Sequence, residues 1–364
     1  MTFRYIGSKS RLIEQIVAYV PPPSKDAFFV DAFCGTGVVA EAASKLGWNV
    51  RINDNLHSAV ISAGARLTSQ DQASFKKLGG YAKAISYLNA TEQMQGFIWK
   101  TYSPASFDSC GVERRYFTEE NASRIDAMRT LIAGWSEAGN INESEERLLI
   151  ADVFSALNRI ANIAGTFGCF LSKWTEQSQL QISMRCRELK SSSVRVEATV
   201  GDVFDVPNSP QDIVYLDPPY TKRQYASYYH ILETVALRDE PVVEGVAGLR
   251  PWKDRASDFC YKTRALKTLS RLVYSLNAQK VLLSYSSEGH ICMEDMKAEL
   301  SKIGKSTMHP LGLIGRYRPN KVASSTASDV NEFLVIVERP FGPRPKLQIG
   351  TVNITNPLLI ESYA

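Results

Sequence analysis

The residues best suited to chemistry are Asp217-Pro218-Pro219-Tyr220, which directly follow the apolar run 212–216. The two prolines cannot donate hydrogen bonds to a sheet and they fix φ, so they form a stiff backbone corner. The corner presents a carboxylate, free backbone carbonyls and an aromatic ring. A planar base with an exocyclic amine would find two acceptors there, the Asp217 carboxylate and the Pro218 carbonyl, and a stacking surface in Tyr220.

This corner is expected to lie at the carboxyl edge of a sheet. The run 212–216 is short and rich in β-branched and aromatic residues, which predicts a buried strand. Open α/β sheets bind ligands at the carboxyl ends of their strands. The alternative is an ordinary junction between a strand and a turn, in which Asp217 serves only as a cap.

A second group of candidate residues lies in a predicted βαβ unit near the N-terminus. A strand over 27–31 leads into the turn Phe33-Cys34-Gly35-Thr36-Gly37, a helix over 38–46 follows, and a strand over 49–53 ends at Asp54. Asp31 and Asp54 are 54 − 31 = 23 residues apart, close to the roughly 20 residues between a glycine turn and a ribose-binding acid. The unit therefore predicts a ligand that contains adenosine.

Each part of this unit also has a structural explanation. Glycine turns between strands and helices are common for steric reasons alone, and an Asp after a strand often caps the next helix. The glycine pattern lacks the third glycine of the dinucleotide fingerprint, which disfavours a nicotinamide dehydrogenase.

A further strand is predicted over 194–200, and it ends at Gly201-Asp202. Asp202 and Asp217 are 217 − 202 = 15 residues apart, so they can follow neighbouring strands at one sheet edge. Asp202 could accept a hydrogen bond from an adenine amine while Val203 or Phe204 covers the ring. Gly-Asp is also an ordinary turn pair.

Residues 57–192 have mainly helical periodicity, with apolar residues at three- and four-residue steps over 124–132 and 145–163. An insertion of this length predicts a helical subdomain beside the binding edge. The segment 165–174 interrupts the pattern with glycines and aromatic residues. It is either a packed loop or a wall of the substrate pocket.

Composition and charge indicate a protein with material for a large core and without a membrane span. The chain of 364 residues is 44% hydrophobic and 22% charged, with a net charge of +4. No apolar run approaches the roughly 18 residues that a membrane span needs, and the N-terminus lacks a signal-peptide core. The six cysteines are scattered and without metal-ligand spacing, so reduced thiols, no metal site and a cytoplasmic location are expected.

Basic and aromatic residues alternate after the Asp-Pro-Pro-Tyr corner and again near the end of the chain. A charged run is usually a solvated face, but cations mixed with aromatic rings suit a phosphate backbone with an unstacked base. The candidate DNA-contacting residues are Lys222, Arg223, Tyr225, Arg250, Lys262, Arg316 and Arg318.

Taken in order, these motifs resemble those of the Dam-like DNA adenine-N6 methyltransferases. The matching segments are Tyr5-Ile6-Gly7-Ser8-Lys9, Phe33 to Gly37, Asp54, Gly201-Asp202 and Asp217 to Tyr220. The resemblance implies an α/β fold with a Rossmann-like, seven-stranded and mostly parallel sheet that binds S-adenosylmethionine. The catalytic domain would comprise residues 1–56 and 193–340, with 57–192 as the inserted recognition subdomain and 341–364 as a C-terminal extension.

The resemblance also implies a role for each matching residue. Tyr5 and Lys9 would contact the methionine end of the cofactor, and Asp54 would hold the ribose hydroxyls. Asp202, beside Val203, would bind the cofactor adenine. The residues that would line the cofactor turn are Asp31, Phe33, Cys34, Gly35 and Gly37. The residues that would handle the target base are Asp217, Pro218, Pro219 and Tyr220.

The activity implied is transfer of a methyl group to N6 of a flipped adenine in double-stranded DNA, by a restriction-modification or an orphan enzyme. A companion restriction endonuclease and the oligomeric state stay open. Two departures matter: Ser8 stands where many members have glycine, and no familiar recognition hairpin is present, so the target sequence is open. The alternatives are a methyltransferase for cytosine N4, an RNA base or a glutamine side chain, and an inactive DNA-binding protein on this scaffold.

Overall fold

A computed structural model describes residues 6–314 and 330–339 of the chain. Tyr5, Arg316, Arg318 and the segment 341–364 lie outside the described residues, so the expectations for them stay predictions.

The core of the fold is a seven-stranded sheet with the order β3-β2-β1-β4-β5-β7-β6. All neighbouring pairs are parallel except the two that involve β7, which runs antiparallel to β5 and β6. The predicted mostly parallel, seven-stranded sheet is therefore confirmed. The strands are β1 (Phe28–Asp31), β2 (Asn49–Asp54), β3 (Val196–Val200), β4 (Ile213–Leu216), β5 (Lys280–Ser286), β6 (Lys305–Ile314) and β7 (Val330–Glu338).

Helices cover the sheet and form the region between β2 and β3. In the part of the chain that the structure describes, no helix is both long and apolar enough to cross a membrane. The helices are α1 (Ile13–Val17), α2 (Val38–Lys45), α3 (His57–Leu67), α4 (Tyr81–Asn89), α5 (Phe97–Tyr102), α6 (Phe107–Cys110), α7 (Glu119–Glu137), α8 (Glu143–Ile160), α9 (Tyr225–Tyr228), α10 (His230–Leu237), α11 (Lys262–Ser275) and α12 (Met293–Ser301).

The order of the strands reverses between β1 and β4. From β1 the chain builds outward through β2 and β3 on one side, and it then returns to β4 and continues through β5 on the other. Residues of β1 and β4 are buried throughout, as expected for central strands with helices on both faces. The crevice at such a reversal, beyond the carboxyl ends of the two strands, is where α/β sheets bind ligands.

The helical region packs around α7 and α8, and α3 joins it to the sheet. Thr118 caps α7 by accepting a hydrogen bond from the Asn121 amide, and Asn142 with Glu145 forms a capping box at the start of α8. Helix α3 contacts β2 and β3 as well as α2 and α8. It therefore serves both as the crossover helix of the sheet and as a base for the insertion.

Strand β6 and helix α12 were not predicted from the sequence. Pro310 and Gly312 lie in β6 at a break in its pairing with β7, so its side chains do not alternate regularly. In α12 only Met296 and Leu300 are buried, which leaves a weak apolar pattern.

The N-terminus of α3 is held by a carboxylate from α10. Glu233 is 2% exposed. It accepts hydrogen bonds from the backbone amides of His57 and Ser58 at 3.0 and 2.9 Å, and its oxygens lie 2.8 Å from His57 Nδ1 and 2.9 Å from Ser58 Oγ. Burial alone would raise the pKa of Glu233, but these bonds together hold it below the usual value.

We expect Glu233→Gln to lower the free energy of unfolding at pH 7 by about 2–3 kcal/mol, because hydrogen bonds to a buried charge are lost. A depressed pKa means that the ionised carboxylate stabilises the fold above the unfolded glutamate pKa of about 4.3, and that this contribution disappears as the pH falls through the lower folded value. Denaturant titrations from pH 7 to about pH 3 should therefore show the gap between variant and wild type closing below about pH 4.

The matched control is Glu240→Gln, since Glu240 lies near α10 and is 68% exposed. Its loss should stay within about 0.5 kcal/mol at every pH. A gap for Glu233→Gln that is the same across the whole pH range would contradict the assigned role.

Candidate active site

A cavity of about 370 Å³ lies at the carboxyl edge of β1, β2 and β4. This volume is within the range of roughly 300–1,000 Å³ that is usual for small-ligand sites. The structure brings together here almost every described residue that the sequence assigned to the cofactor or the target base. Those lining the cavity are Lys9, Asp31, Phe33, Cys34, Gly35, Asp54, Asp202, Val203, Asp217, Pro218, Pro219 and Tyr220.

The glycine turn after β1 forms one wall of the cavity. Gly35 and Gly37 have φ values of 48° and 74°, and the Gly37 amide donates to the Cys34 carbonyl at 2.7 Å. A Cβ placed on Gly37 would lie 2.7 Å from the Cα and Cβ atoms of Ala63 in α3. Gly37 is not among the lining residues, and its observed role is the close approach of α2 to α3.

Asp54 is fixed at the end of β2. Its carboxylate accepts hydrogen bonds from the backbone amides of Gly35 and Leu56, both at 3.1 Å. Burial raises its pKa to about 6, although both bonds act in the opposite direction. Glu233 accepts the hydrogen bonds from the first backbone amides of α3, so capping this helix is not the main role of Asp54. Asp54 lines the cavity.

Asp202 lies directly after β3 on the far side of the cavity. Its Oδ1 accepts the Phe204 amide at 3.0 Å, and the side chain is exposed. The ring of Phe204 lines the cavity, and the guanidinium of Arg271 lies 4.4 Å from its centroid. A polar acceptor beside an aromatic surface suits a purine with an exocyclic amine.

Asp31 ends β1 beside the Asp-Pro-Pro-Tyr corner. Its Oδ2 accepts the Ala40 amide at 3.2 Å, whereas its buried Oδ1 has no hydrogen-bond partner among the described residues. Burial, with the nearby charge of Asp217, raises the pKa of Asp31 to about 8. An unsatisfied buried oxygen in a cavity wall calls for a donor from a ligand, ideally a cationic one.

The Asp217 carboxylate is paired with Lys9. Lys9 is 3% exposed and its Nζ lies 2.8 Å from Asp217 Oδ1. Burial raises the pKa of Asp217 and the charge of Lys9 lowers it. Burial alone would lower the pKa of Lys9, but Asp217, Tyr220 and Glu332 hold it well above the usual range. The lysine therefore remains a cation.

Tyr220 faces both the cavity and a tyrosine of β5. Its ring packs edge-on against Tyr285 with centroids 5.7 Å apart, and the Lys9 ammonium lies 5.4 Å from its centroid. Its carbonyl accepts the His290 amide at 2.9 Å. These contacts fix the ring at the mouth of the cavity, where a planar base could stack on it.

The covering loop, residues 254–259, closes one side of the cavity. The Gln224 side chain and the Ser257 backbone exchange two hydrogen bonds, at 2.9 and 3.3 Å. Asn55 Nδ2 donates to the Arg255 carbonyl at 3.1 Å, and Arg255 donates back to the Asn55 carbonyl at 2.5 Å. The loop is thus joined to the ends of both the Asp54 strand and the Asp217 segment.

The residues predicted to contact DNA divide into two groups. Lys222, Arg223 and Lys262 are exposed. Tyr225 instead lines the cavity, with its hydroxyl donating to the Ile6 carbonyl at 3.3 Å. Arg250 makes two hydrogen bonds to Asp239, at 2.8 and 2.7 Å, so this pair would have to open before Arg250 could reach DNA.

The segment 165–174 packs away from the cavity. The Phe167 amide donates to the Tyr228 carbonyl at 2.9 Å, and the Phe167 carbonyl lies 2.8 Å from His230 Nε2. Asn162 Nδ2 donates to the Leu171 carbonyl at 3.0 Å. Because no residue of 165–174 is among the lining residues, the structure favours the packed loop over the pocket wall.

Sequence comparison agrees with the geometry. The sequence model of the D12 class N6 adenine-specific DNA methyltransferases matches residues 5–298. The chain belongs to this family. D12 methyltransferases use S-adenosylmethionine, and the cavity suits that cofactor because it offers the unpaired oxygen of Asp31, the fixed carboxylate of Asp54 and the acceptor of Asp202.

Several relatives are similar over most of this D12 chain. The type II methyltransferase M.FokI of Planomicrobium okeanokoites is 32% identical over 92% of the chain and 52% of its own length. The modification methylase StsI of Streptococcus sanguinis is 30% identical over 96% and 54%. The type II methyltransferase M.NlaIII of Neisseria lactamica is 29% identical over 93% and 99%. The chain thus spans about half the length of the first two relatives.

We expect Gly37→Ala to destabilise the D12 fold by about 2–4 kcal/mol, because alanine is strained at this φ and its Cβ would overlap Ala63. The control is Gly139→Ala, where φ is 64° and nothing lies within 4 Å of the added Cβ. The control should lose only about 1 kcal/mol. Chemical denaturation of both variants measures the difference, and equal losses would show that the approach of α2 to α3 is not tight.

Proposed function

We propose that the chain is a site-specific DNA methyltransferase that transfers the methyl group of S-adenosylmethionine to the exocyclic N6 of a flipped adenine. The observation that carries the proposal is the position of the Asp217 to Tyr220 corner. It lies at the mouth of the same cavity that Asp31, Asp54 and Asp202 line. A base amine held by Asp217 would therefore meet a cofactor held by the three other carboxylates.

The cofactor would lie along the ends of the first three strands. Asp54 would accept hydrogen bonds from the ribose hydroxyls, and Asp202 would accept one from the amine of the cofactor adenine. Val203 and Phe204 would pack against the adenine ring. Asp31 would receive the ammonium of the methionine moiety at its free oxygen. Tyr5 and Lys9 would approach the methionine carboxylate, and for Lys9 this requires that its contact with Asp217 loosens.

The residues of the corner would make the target amine reactive. The lone pair of an adenine N6 is delocalised into the ring, so the amine is a poor nucleophile. Asp217 and the Pro218 carbonyl would accept hydrogen bonds from the two N–H groups of the amine and so favour a tetrahedral nitrogen. Pro219 would keep the corner rigid, and Tyr220 would hold the base ring in line for the transfer. S-adenosylmethionine, when bound, would supply an electrophilic methyl group and leave as S-adenosylhomocysteine, and the amine would lose one proton to solvent.

DNA is the substrate that the family indicates, and its base must leave the duplex to reach this cavity. Exposed Lys222, Arg223 and Lys262 follow the corner and would contact phosphates, as would Arg316 and Arg318. Relatives named modification methylases support a place in a restriction-modification system, with a companion endonuclease that cuts the same site. The enzyme would then act in the cytoplasm on the genome.

The proposal predicts that Asp217→Asn loses methyl transfer by about 10³-fold or more, because an amide cannot act as a charged acceptor for the amine. Binding of S-adenosylmethionine should survive. The assay is transfer of labelled methyl to unmethylated bacterial DNA, with the modified base identified after digestion. Asp205→Asn is the control, since Asp205 is exposed and outside the set of lining residues.

We expect the wild type and the Asp205→Asn control to place label in N6-methyladenine, and Asp217→Asn to place none. Label in RNA or in cytosine would redirect the proposal to another amine, and a wild type that binds the cofactor but labels nothing would favour an inactive DNA-binding scaffold.

The proposal also predicts a pH dependence of cofactor affinity. Asp54 must be ionised to accept the ribose hydroxyls, and burial raises its pKa to about 6. Protonation of Asp31, whose pKa is about 8, should already weaken binding of S-adenosylmethionine below pH 8. Protonation of Asp54 should add a further fall below pH 6, by up to about tenfold per pH unit. Calorimetry from pH 5 to pH 8 measures both slopes. Asp54→Asn should bind weakly and lack the further slope below pH 6, and a variant that keeps it would show that another group titrates.

A further inference from the structure

Glu332 reaches the active site because β7 is antiparallel. The start of an antiparallel strand lies beside the carboxyl ends of its parallel neighbours. The pairing of Ser286 with Glu332 accordingly places Glu332 at the end of β5, at the catalytic edge. Glu332 lies beyond residues 5–298, where the family match ends, and no role for it was predicted from the sequence.

The side chain of Glu332 contacts two residues of the site and is itself buried. Its residue exposure is 5%. Oε2 lies 3.9 Å from Lys9 Nζ, and Oε1 accepts a hydrogen bond from the Tyr220 hydroxyl at 3.5 Å. The Lys9 ammonium therefore lies between two carboxylates, at 2.8 Å from Asp217 and 3.9 Å from Glu332.

The close ion pair between Lys9 and Asp217 conflicts with the proposed role of Asp217 as the hydrogen-bond acceptor for the target amine. Hydrogen bonding of an amine to a carboxylate is weaker when an ammonium already neutralises that carboxylate. A buried ammonium cannot simply be released from Asp217, because an unpaired charge in the interior is strongly unfavourable. Besides the methionine carboxylate of a bound cofactor, Lys9 needs an anion that the protein itself supplies, and Glu332 is in that position.

We propose that Glu332 is a positioning residue that takes over the Lys9 ammonium when the target amine reaches Asp217, and that holds the Tyr220 hydroxyl at the same time. This inference rests on the proposed function. In the resting site Lys9 bonds mainly to Asp217. With the base in place, Lys9 moves towards Glu332, and the freed Asp217 oxygen accepts the amine hydrogen.

The exchange of partners has consequences for pH dependence. Removing the negative charge of Glu332 should tighten the pair of Lys9 with Asp217 and lower the pKa of Asp217. The decrease of kcat at low pH, the acid limb of its pH profile, would then move to lower pH. The maximal value of kcat, reached above that limb, would also fall. The charged and titratable groups that surround the exchange are Lys9, Asp31, Tyr215, Asp217, Tyr220 and Tyr225.

The test is Glu332→Gln, which keeps the size of the side chain and an acceptor for Tyr220 but removes the charge. We expect kcat to fall by about tenfold or more, KM for DNA and the affinity for S-adenosylmethionine to stay within about twofold, and the acid limb to move down. The matched control is Glu338→Gln, at the other end of β7, where Glu338 lies 3.4 Å from Lys280 and is half exposed. It should match the wild type in every measurement.

Glu332→Asp provides a second variant that keeps the charge on a shorter side chain. It should retain the wild-type acid limb and an intermediate kcat, and it carries the test alone if the glutamine variant does not fold. Wild-type kcat and pH profile in Glu332→Gln, or in Glu332→Asp if only that variant folds, would overturn the inference. A wild type that transfers no methyl would instead overturn the proposed function.

Discussion

A buried excess of carboxyl groups over ammonium groups at the carboxyl edge of the sheet is the constraint on which the site depends. Asp31, Asp217 and Glu332 are all largely buried there, and the Lys9 ammonium lies among them. Ionised carboxylates that are buried near one another repel strongly when water is excluded. The pKa values of Asp31 and Glu332 are both raised, first because of burial. The fold therefore buries these carboxyl groups although removing them from water disfavours their ionised forms.

The topology of the sheet is what brings these groups together. Asp31 ends β1, Asp217 follows β4, and these strands are neighbours where the strand order reverses. Glu332 joins them only because β7 is antiparallel, and Lys9 because the segment before α1 crosses the same edge. The cluster thus combines four distant parts of the sequence, and the β-ladders fix the relative positions of its three carboxyl groups.

The parts of the site that could be predicted were those with local signals. Asp217 follows a short apolar run and two prolines, and Asp54 follows a glycine turn at a characteristic spacing, so each could be placed at a strand end from nearby residues alone. Glu332 could not, because its position depends on the direction of β7 and on pairing with a strand interrupted at Pro310 and Gly312. A lone acid at the start of an apolar run was its one visible signal. The covering loop was missed because side-chain bonds from Gln224 and Asn55, and not a regular element, hold it in place.

Helices α9 and α10 give the helical region a physical connection to the charge cluster. They follow the Asp217 corner directly. The hydroxyl of Tyr229, between the two helices, accepts a hydrogen bond from the Ile6 amide at 2.8 Å, and Ile6 lies just ahead of Lys9 in the chain. The same helices bond to Phe167 through His230 and to α3 through Glu233. Under the proposed function, a shift of the helical region on binding DNA would move α10, and with it the segment that carries Lys9, more readily than it would move the paired strands. In the proposed exchange of partners, the position of Lys9 decides whether Asp217 is free to accept a hydrogen bond from an amine. This connection would then provide a route by which DNA contacts in the insertion affect the Asp217 corner.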